Sequence, residues 1–188
     1  MLKLKIIETK LAGVRIIEPK VFGDARGFFL ETWSKEKYRE AGIDVEFVQD
    51  NMSFSTKGVL RGLHFQNPNA QGKLVSVAQG EVYDVAVDIR DGSPTFGEWV
   101  GVMLSGEKHN QFWIPPGFAH GFCVVSETAY FTYKCSDIYN PAADGGILWN
   151  DPAIGIKWPM VDVVLSEKDK VHPLLKDLPK ERLIRYQG

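Results

Sequence analysis

Short runs in which apolar and polar residues alternate follow one another along most of this chain, leaving little space for anything but strands and turns. The runs are Lys3–Thr9, Val14–Pro19, Phe28–Trp33, Glu46–Ser53, Val59–Phe65, Lys73–Ala78 and Glu81–Ile89. They continue through Glu98–Leu104, Gln111–Ile114, His120–Val125, Ala129–Ser136 and Gly146–Trp149. Val, Ile, Phe, Tyr and Thr fill them, while Gly, Pro, Asn, Asp and Ser break them. A period of two sends successive side chains to opposite faces of a strand, and branched or aromatic groups fit that pleated surface. Gln79-Gly80 and Ser126-Glu127-Thr128 read as hairpin turns. So many strands in 188 residues imply an all-β double-sheet jelly roll or barrel rather than a βαβ repeat.

Two stretches depart from the rhythm. Ser34 is placed to cap a helix over Lys35–Ala41, with Gly42 ending it. The tail from Ser166 to Leu183 is charged and interrupted by Pro173 and Pro179, which predicts short peripheral helices over the barrel. No repeat, low-complexity tract or linker divides the chain, so residues 1–188 read as a single domain, with residues 166–188 a helical tail. A hydrophobic content of 44% is ample for a core.

Lys and Arg total 22 against 24 Asp and Glu, so no basic excess exists to bind nucleic acid by charge alone. The N-terminus carries Lys3, Lys5, Glu8 and Lys10 with no apolar run of signal-peptide length. Nor does any stretch reach the roughly 18 consecutive apolar residues of a membrane span. Cys123 and Cys135 sit inside expected strands with no CxxC partner, and read as buried reduced thiols rather than a disulfide. A cytoplasmic protein without membrane or nucleic-acid partners is the expectation. Gly-rich phosphate loops of the Walker or dinucleotide type are missing, which weakens kinase-like and nicotinamide-dependent readings.

The four histidines are His64, His109, His120 and His172. Pro115-Pro116-Gly117-Phe118-Ala119-His120 matches the P-x-G-x-x-H pattern that resembles the second cupin motif. Where metal-binding cupins supply H-x-H and then a glutamate, this chain reads His64-Phe65-Gln66 and then Lys73. An amide is a poor transition-metal ligand and an ammonium repels a divalent cation, so no catalytic metal is expected. Arg26, Arg61 and Lys73 nevertheless lie in or beside strands, where unpaired charge is costly. With Gln49, Asp50, Asn51 and His120 they suggest a polar lumen built for an anionic ligand.

Several blocks then resemble one family. They are Gly23-Asp24-Ala25-Arg26-Gly27-Phe28-Phe29, Gln49-Asp50-Asn51-Met52-Ser53, Gly58–Gln66, Gln71-Gly72-Lys73-Leu74-Val75 and Ile114–His120. Tyr130-Phe131-Thr132-Tyr133-Lys134, Trp149-Asn150-Asp151-Pro152 and Leu165-Ser166-Glu167-Lys168-Asp169 complete the set. In this order, from about residue 20 to 170, they resemble the dTDP-4-dehydrorhamnose 3,5-epimerase family. The resemblance implies a metal-free, cofactor-free cupin-type jelly roll, a homodimer with the N-terminal strands at its interface, and a role in making activated rhamnose for polysaccharide. It also implies a dTDP-linked 4-keto-6-deoxy sugar as substrate, whose ketone acidifies the hydrogens on carbons 3 and 5.

Inversion beside a ketone needs a base, a group for the enolate oxygen and an acid on the opposite face. The resemblance points to His64 as base, an imidazole whose ordinary pKa of about 6.5 lets it accept a proton at cell pH. It makes Asp169 the orienting partner, Lys73 the cation at oxygen 4, and Tyr133 the acid on the far face. For the diphosphate, Arg26 and Arg61 offer planar forks, with His120 and Lys168 beside them. Gln49, Asp50 and Asn51 are assigned to the nucleotide, Glu31 to the thymine imide hydrogen and Tyr139 to stacking on the base. Asp144 stands where the family more often carries a glutamate. Competing readings are a mono-epimerase or ketoisomerase on a related sugar, a non-catalytic sugar-binding cupin, and a metal-dependent cupin oxygenase.

Overall fold

In the computed structural model, which describes residues 4–187, thirteen strands and one helix are found among the described residues. The strands are β1 (Lys5–Glu8), β2 (Arg15–Glu18), β3 (Val21–Asp24), β4 (Gly27–Leu30), β5 (Gln49–Thr56), β6 (Leu60–Gln66) and β7 (Lys73–Gln79). They continue with β8 (Glu81–Asp88), β9 (Trp99–Ser105), β10 (Gln111–Ile114), β11 (Phe118–Val124), β12 (Thr128–Cys135) and β13 (Asp144–Gly146). The helix α1 covers Lys35–Glu40. A six-stranded sheet runs β1-β2-β10-β7-β12-β5 and a five-stranded sheet runs β13-β6-β11-β8-β9, with β3-β4 a separate hairpin. This is the double-sheet jelly roll that alternation implies, of the cupin-like kind that the family resemblance implies.

Each sheet has its outer face covered in part, and that explains the burial of its central strands. Between the sheets, Val75, Val77, Val82, Phe112, Phe122 and Phe131 form the main core. Outside the five-stranded sheet, Leu63, Phe65, Val85 and Val87 pack with Ile147, Ile154 and Leu175 of the later chain. Outside the six-stranded sheet, Tyr38 of α1 packs with Ile17, Ile43, Leu74 and Trp113. Residues of β11 are accordingly buried at every position, the pattern of a strand covered on both faces.

Several expectations are corrected. Lys3, where the first strand was expected to begin, lies outside the described residues. The hairpin arm β3 was not foreseen, because Val21–Asp24 is four residues with a glycine inside. Its partner β4 is displaced towards the turn, since register with β3 selects Gly27–Leu30 over the stretch to Trp33. The run expected at Gly146–Trp149 pairs instead over Asp144–Gly146, against Gln66–His64 of β6. Ser34 precedes α1 without a side-chain cap hydrogen bond. The tail forms only two 3-10 turns, Leu175–Asp177 and Lys180–Arg182, because its prolines stop longer helices.

One irregularity matters for the site. His120 of β11 pairs with His64 of β6, whereas Phe122 pairs with Arg61. Two steps on β11 therefore match three on β6, so β6 carries an extra residue, a β-bulge. Gly62 has φ +129, and a Cβ there would lie 2.5 Å from the Gly121 Cα and 2.8 Å from the His120 carbonyl oxygen. Only a glycine lets the two backbones approach this closely. The bulge resets the alternation of β6, so Arg61 and His64 face the same side although three positions separate them.

Both cysteines are free and buried, and burial pushes the Cys123 thiol up to about 11. No helix among the described residues is long and apolar enough to cross a membrane.

Candidate active site

Between the two sheets lies a cavity of about 520 Å³ whose walls come from β5, β6, β11, β12 and the tail. Its polar lining includes Asn51, Arg61, His64, His120, Tyr133, Lys168 and Asp169, set among Leu60, Phe122, Phe131 and Val164. Alternation explains most of this placement. In β5, Gln49, Asn51, Ser53 and Ser55 face inward while Asp50, Met52 and Phe54 face outward. In β12, Phe131, Tyr133 and Cys135 are the inward set.

His64 and Asp169 are the closest polar pair, with Nε2 2.6 Å from the carboxylate Oδ1. They stand 105 residues apart and meet because Val164 bridges to Val59, bringing the tail alongside β6. Asp169 is almost wholly buried, whereas His64 keeps about a third of its side chain accessible to the cavity. Burial alone would raise the Asp169 carboxyl, but hydrogen bonds and charge from His64, with help from Ser166, hold it below its ordinary value. An ionised carboxylate accepting from Nε2 fixes the ring's tautomer and leaves Nδ1 as the free nitrogen.

His120 lies on the same sheet as His64, its Nε2 2.9 and 3.0 Å from the two oxygens of Asp84. Burial lowers the His120 imidazole and raises the Asp84 carboxyl, each opposed by attraction to the other. Lys73 is not in the cavity wall; its charge acts on Asp84 and His120 from the opposing strand β7. Burial pushes Lys73 down, while Cys135, Asp144 and Asp84 work to keep it protonated. Tyr133, on β12 of the six-stranded sheet, is raised by burial and so keeps its phenolic proton.

Other sequence-selected residues form a second ring. Arg61 donates through Nε and Nη2 to the Ser55 hydroxyl, which aims the guanidinium across the cavity. Gln49 donates to Asn51, and its carbonyl accepts from the Tyr139 backbone. Asn51 Nδ2 lies 3.6 Å from the Cys135 sulfur. Asp144 accepts from Lys168, with the Tyr139 hydroxyl 3.4 Å away. Gln66, which takes the second place in the metal-cupin pattern, is fully used by backbone: it donates to Asn69 and Ile138 and accepts from Asn140.

Three sequence-selected residues stand apart in this chain. Arg26 sits on the tip of the β3–β4 hairpin, 90% exposed and paired only with Asp24. Glu31 pairs with Lys37 beside α1. Asp50 points from the outer face to Lys134, at 2.9 Å, beside a second groove of about 350 Å³ that it lines with Thr32 and Gln111. Sequence reasoning missed Asp84, although a lone carboxylate among Val82, Val85, Ala86 and Val87 was a readable sign of a buried partner. It also missed His172, which packs edge-on against His64 with ring centroids 5.8 Å apart.

Comparison with known proteins agrees with this geometry. The family model for dTDP-4-dehydrorhamnose 3,5-epimerase matches residues 8–177. The enzyme of that name from Salmonella typhimurium is 59% identical over 173 residues, covering 90% of this chain and 94% of that protein. Its counterpart from Shigella flexneri is 58% identical over 168 residues, covering 88% of this chain and 93% of that one. The fold superposes with a TM-score of 0.96 on the dTDP-6-deoxy-D-glucose-3,5-epimerase of Legionella pneumophila Philadelphia 1 in complex with dTDP-4-keto-L-rhamnose. That structure is 56% identical, and the match covers 98% of this chain and 100% of that chain. Since these matches span the whole cavity wall, from the β5 residues to Asp169 in the tail, the chain belongs to the dTDP-4-dehydrorhamnose 3,5-epimerase family.

Proposed function

We propose that this isomerase inverts dTDP-4-dehydro-6-deoxy-D-glucose at carbons 3 and 5, giving dTDP-4-dehydro-L-rhamnose, with His64 as base and Tyr133 as acid. The observation that carries the assignment of roles is their position on opposite sheets: both line one cavity, His64 from β6 and Tyr133 from β12. A sugar ring lying between the sheets presents one face to each, which is what removal and return of a proton from opposite sides requires.

His64 takes the proton through Nδ1 while Nε2–H remains bonded to Asp169, whose charge stabilises the imidazolium that forms. Electron density moves to oxygen 4, and Lys73, whose charge reaches Asp84 and His120 from β7 behind the cavity wall, favours the negative charge that builds there. Tyr133 returns a proton from the other face, and burial keeps its phenol protonated for that task. Arg61, held by Ser55, and His120, held by Asp84, take the diphosphate, with Lys168 at the rim. Gln49, Asn51, Tyr139 and Asp144 bound the nucleotide end. No redox cofactor enters, because both inversions begin and end at the same oxidation level.

A homodimer completes the site. Its support is the β3–β4 hairpin, which carries Arg26 at its tip and leaves Phe28 60% and Phe29 70% exposed. Met52 and Phe54 add apolar surface on the outer sheet face, and β1 is an unpaired sheet edge. A second copy seated there receives Arg26 and Glu31 from this one, with Asp50 at the junction. The protein works in the cytoplasm.

Proton NMR of dTDP-4-keto-6-deoxyglucose with the enzyme in deuterated water tests the function. Exchange at both carbons 3 and 5 is expected, and His64→Ala should abolish it while dTDP still binds. Exchange at one carbon would make the chain a mono-epimerase, and none would leave it a sugar-nucleotide-binding module.

A further inference from the structure

We propose that His64, Asp169 and His172 form a binding site for a divalent transition-metal cation of the zinc class, and that filling it switches the enzyme off. One ring nitrogen of each imidazole and one carboxylate oxygen all lie within 4.8 Å of one another. His64 Nε2 is 2.6 Å from Asp169 Oδ1, and His172 Nε2 is 3.5 Å from the same oxygen. Tetrahedral zinc with bonds of about 2.0–2.1 Å sets its ligand atoms about 3.3 Å apart. The His172 side of the triangle already fits, and the His64 side has to open by about 0.7 Å to reach that geometry.

His172 supplies an independent reason. Its side chain is only 9% exposed, and its Nε2 is buried without a hydrogen-bond partner. An imidazole nitrogen sealed from water with nothing to bond is costly, and a cation beside Asp169 would satisfy it. The ring is held in place by its neighbours: it stands edge-on to His64 and lies against Gly146, where any Cβ would collide with it. Two imidazoles and a carboxylate make a donor set that zinc accepts, and the open cavity beside His64 leaves the fourth position to water. Lys168, the nearest ammonium in the tail, is already paired with Asp144. The site is not the cupin one, whose second ligand position is Gln66 with every polar group engaged by backbone.

Inhibition follows from counting the protons on one ring. With Nε2–H bonded to Asp169, Nδ1 holds the lone pair that accepts a proton from carbon. A cation on Nε2 uses the lone pair there, and the ring's single proton moves to Nδ1. The base is lost without any covalent or redox change, and Asp169 is drawn to the metal at the same time. This consequence rests on the reading of His64 as the base, whereas the binding itself does not.

The test uses the intact protein freed of metal with EDTA. Zinc binding is followed by calorimetry and cobalt binding by its visible absorption, alongside turnover, for the wild type, His172→Asn and His172→Phe. One zinc per chain is expected, with turnover lost on binding and restored by EDTA. Without zinc, His172→Asn should stay within about twofold of wild-type turnover, yet bind zinc on the order of a hundredfold more weakly. His172→Phe keeps the ring's shape, lacks its nitrogens and should lose zinc equally. Equal zinc affinity in all three proteins, or no saturable binding at sub-millimolar zinc, would overturn the site. Tight binding that depends on His172 but leaves turnover intact would establish the site and remove His64 from the role of base.

Discussion

Tyr133 keeps its phenolic proton because burial disfavours the phenolate, so in the proposed role of acid its loss should be visible only at the second half of the reaction. Tyr133→Phe is expected to permit deuterium exchange at carbon 5 while net inversion falls by on the order of a hundred- to ten-thousand-fold, read by NMR of the product. Unchanged product would end its assignment. A second residue-scale prediction concerns Asp88, whose carboxylate accepts from Arg90 Nε and Nη2, Ser93 Oγ and Thr95 Oγ1. Burial works to raise its pKa, and those donors together with the Arg90 backbone N–H bring it below the ordinary value. A depressed native pKa stabilises the fold above the ordinary carboxylate range, and that contribution is lost as pH falls through the native value. Asp88→Asn should therefore cost about 1.5–3 kcal/mol near neutrality, with the gap to wild type closing below about pH 4 in urea titrations. At this scale His64, Arg61 and Tyr133 were legible as polar groups in apolar strands once a family resemblance gave them roles. Their facing was not, because a strict period of two puts Arg61 and His64 on opposite sides of β6.

The strands themselves were the most legible elements, since each has a periodic pattern and a turn residue at its end. What failed were the short pieces, β3 and β13, where four and three residues give too little pattern, and the two expected hairpins, because the turns at Gln79-Gly80 and Ser126-Glu127-Thr128 join strands of different sheets. The bulge in β6 is the element on which the site depends most. Gly62→Ala places a methyl group against Gly121 Cα at a backbone angle that L side chains rarely adopt. The expected cost is at least about 1–3 kcal/mol in a urea melt, with a loss of turnover larger than the loss of stability would explain. Wild-type stability and turnover together would show that β6 and β11 do not need this close approach.

Nothing local announces that residue 169 meets residue 64, since the contact depends on how the tail returns to β6; only the resemblance connected them. The same holds for the outlying Arg26, which a sequence can propose for the site but which the single chain holds on an exposed hairpin. The proposed dimer would resolve that separation, and it is checkable: if it forms through the hairpin, Phe29→Asp should shift the protein from dimer to monomer in sedimentation velocity and lower turnover with it. A dimer unmoved by that change would clear the hairpin of the interface. The extra residue in β6 also has a consequence for the enzyme as a heritable object. Strand and bulge act as a vernier, two scales of two and three steps that coincide at His64 and Arg61. Point changes alter what stands at a mark, whereas gain or loss of one residue between them slides the scales and turns either Arg61 or His64 out of the cavity. Substitution can therefore explore this strand residue by residue, while its length is fixed as tightly as its chemistry.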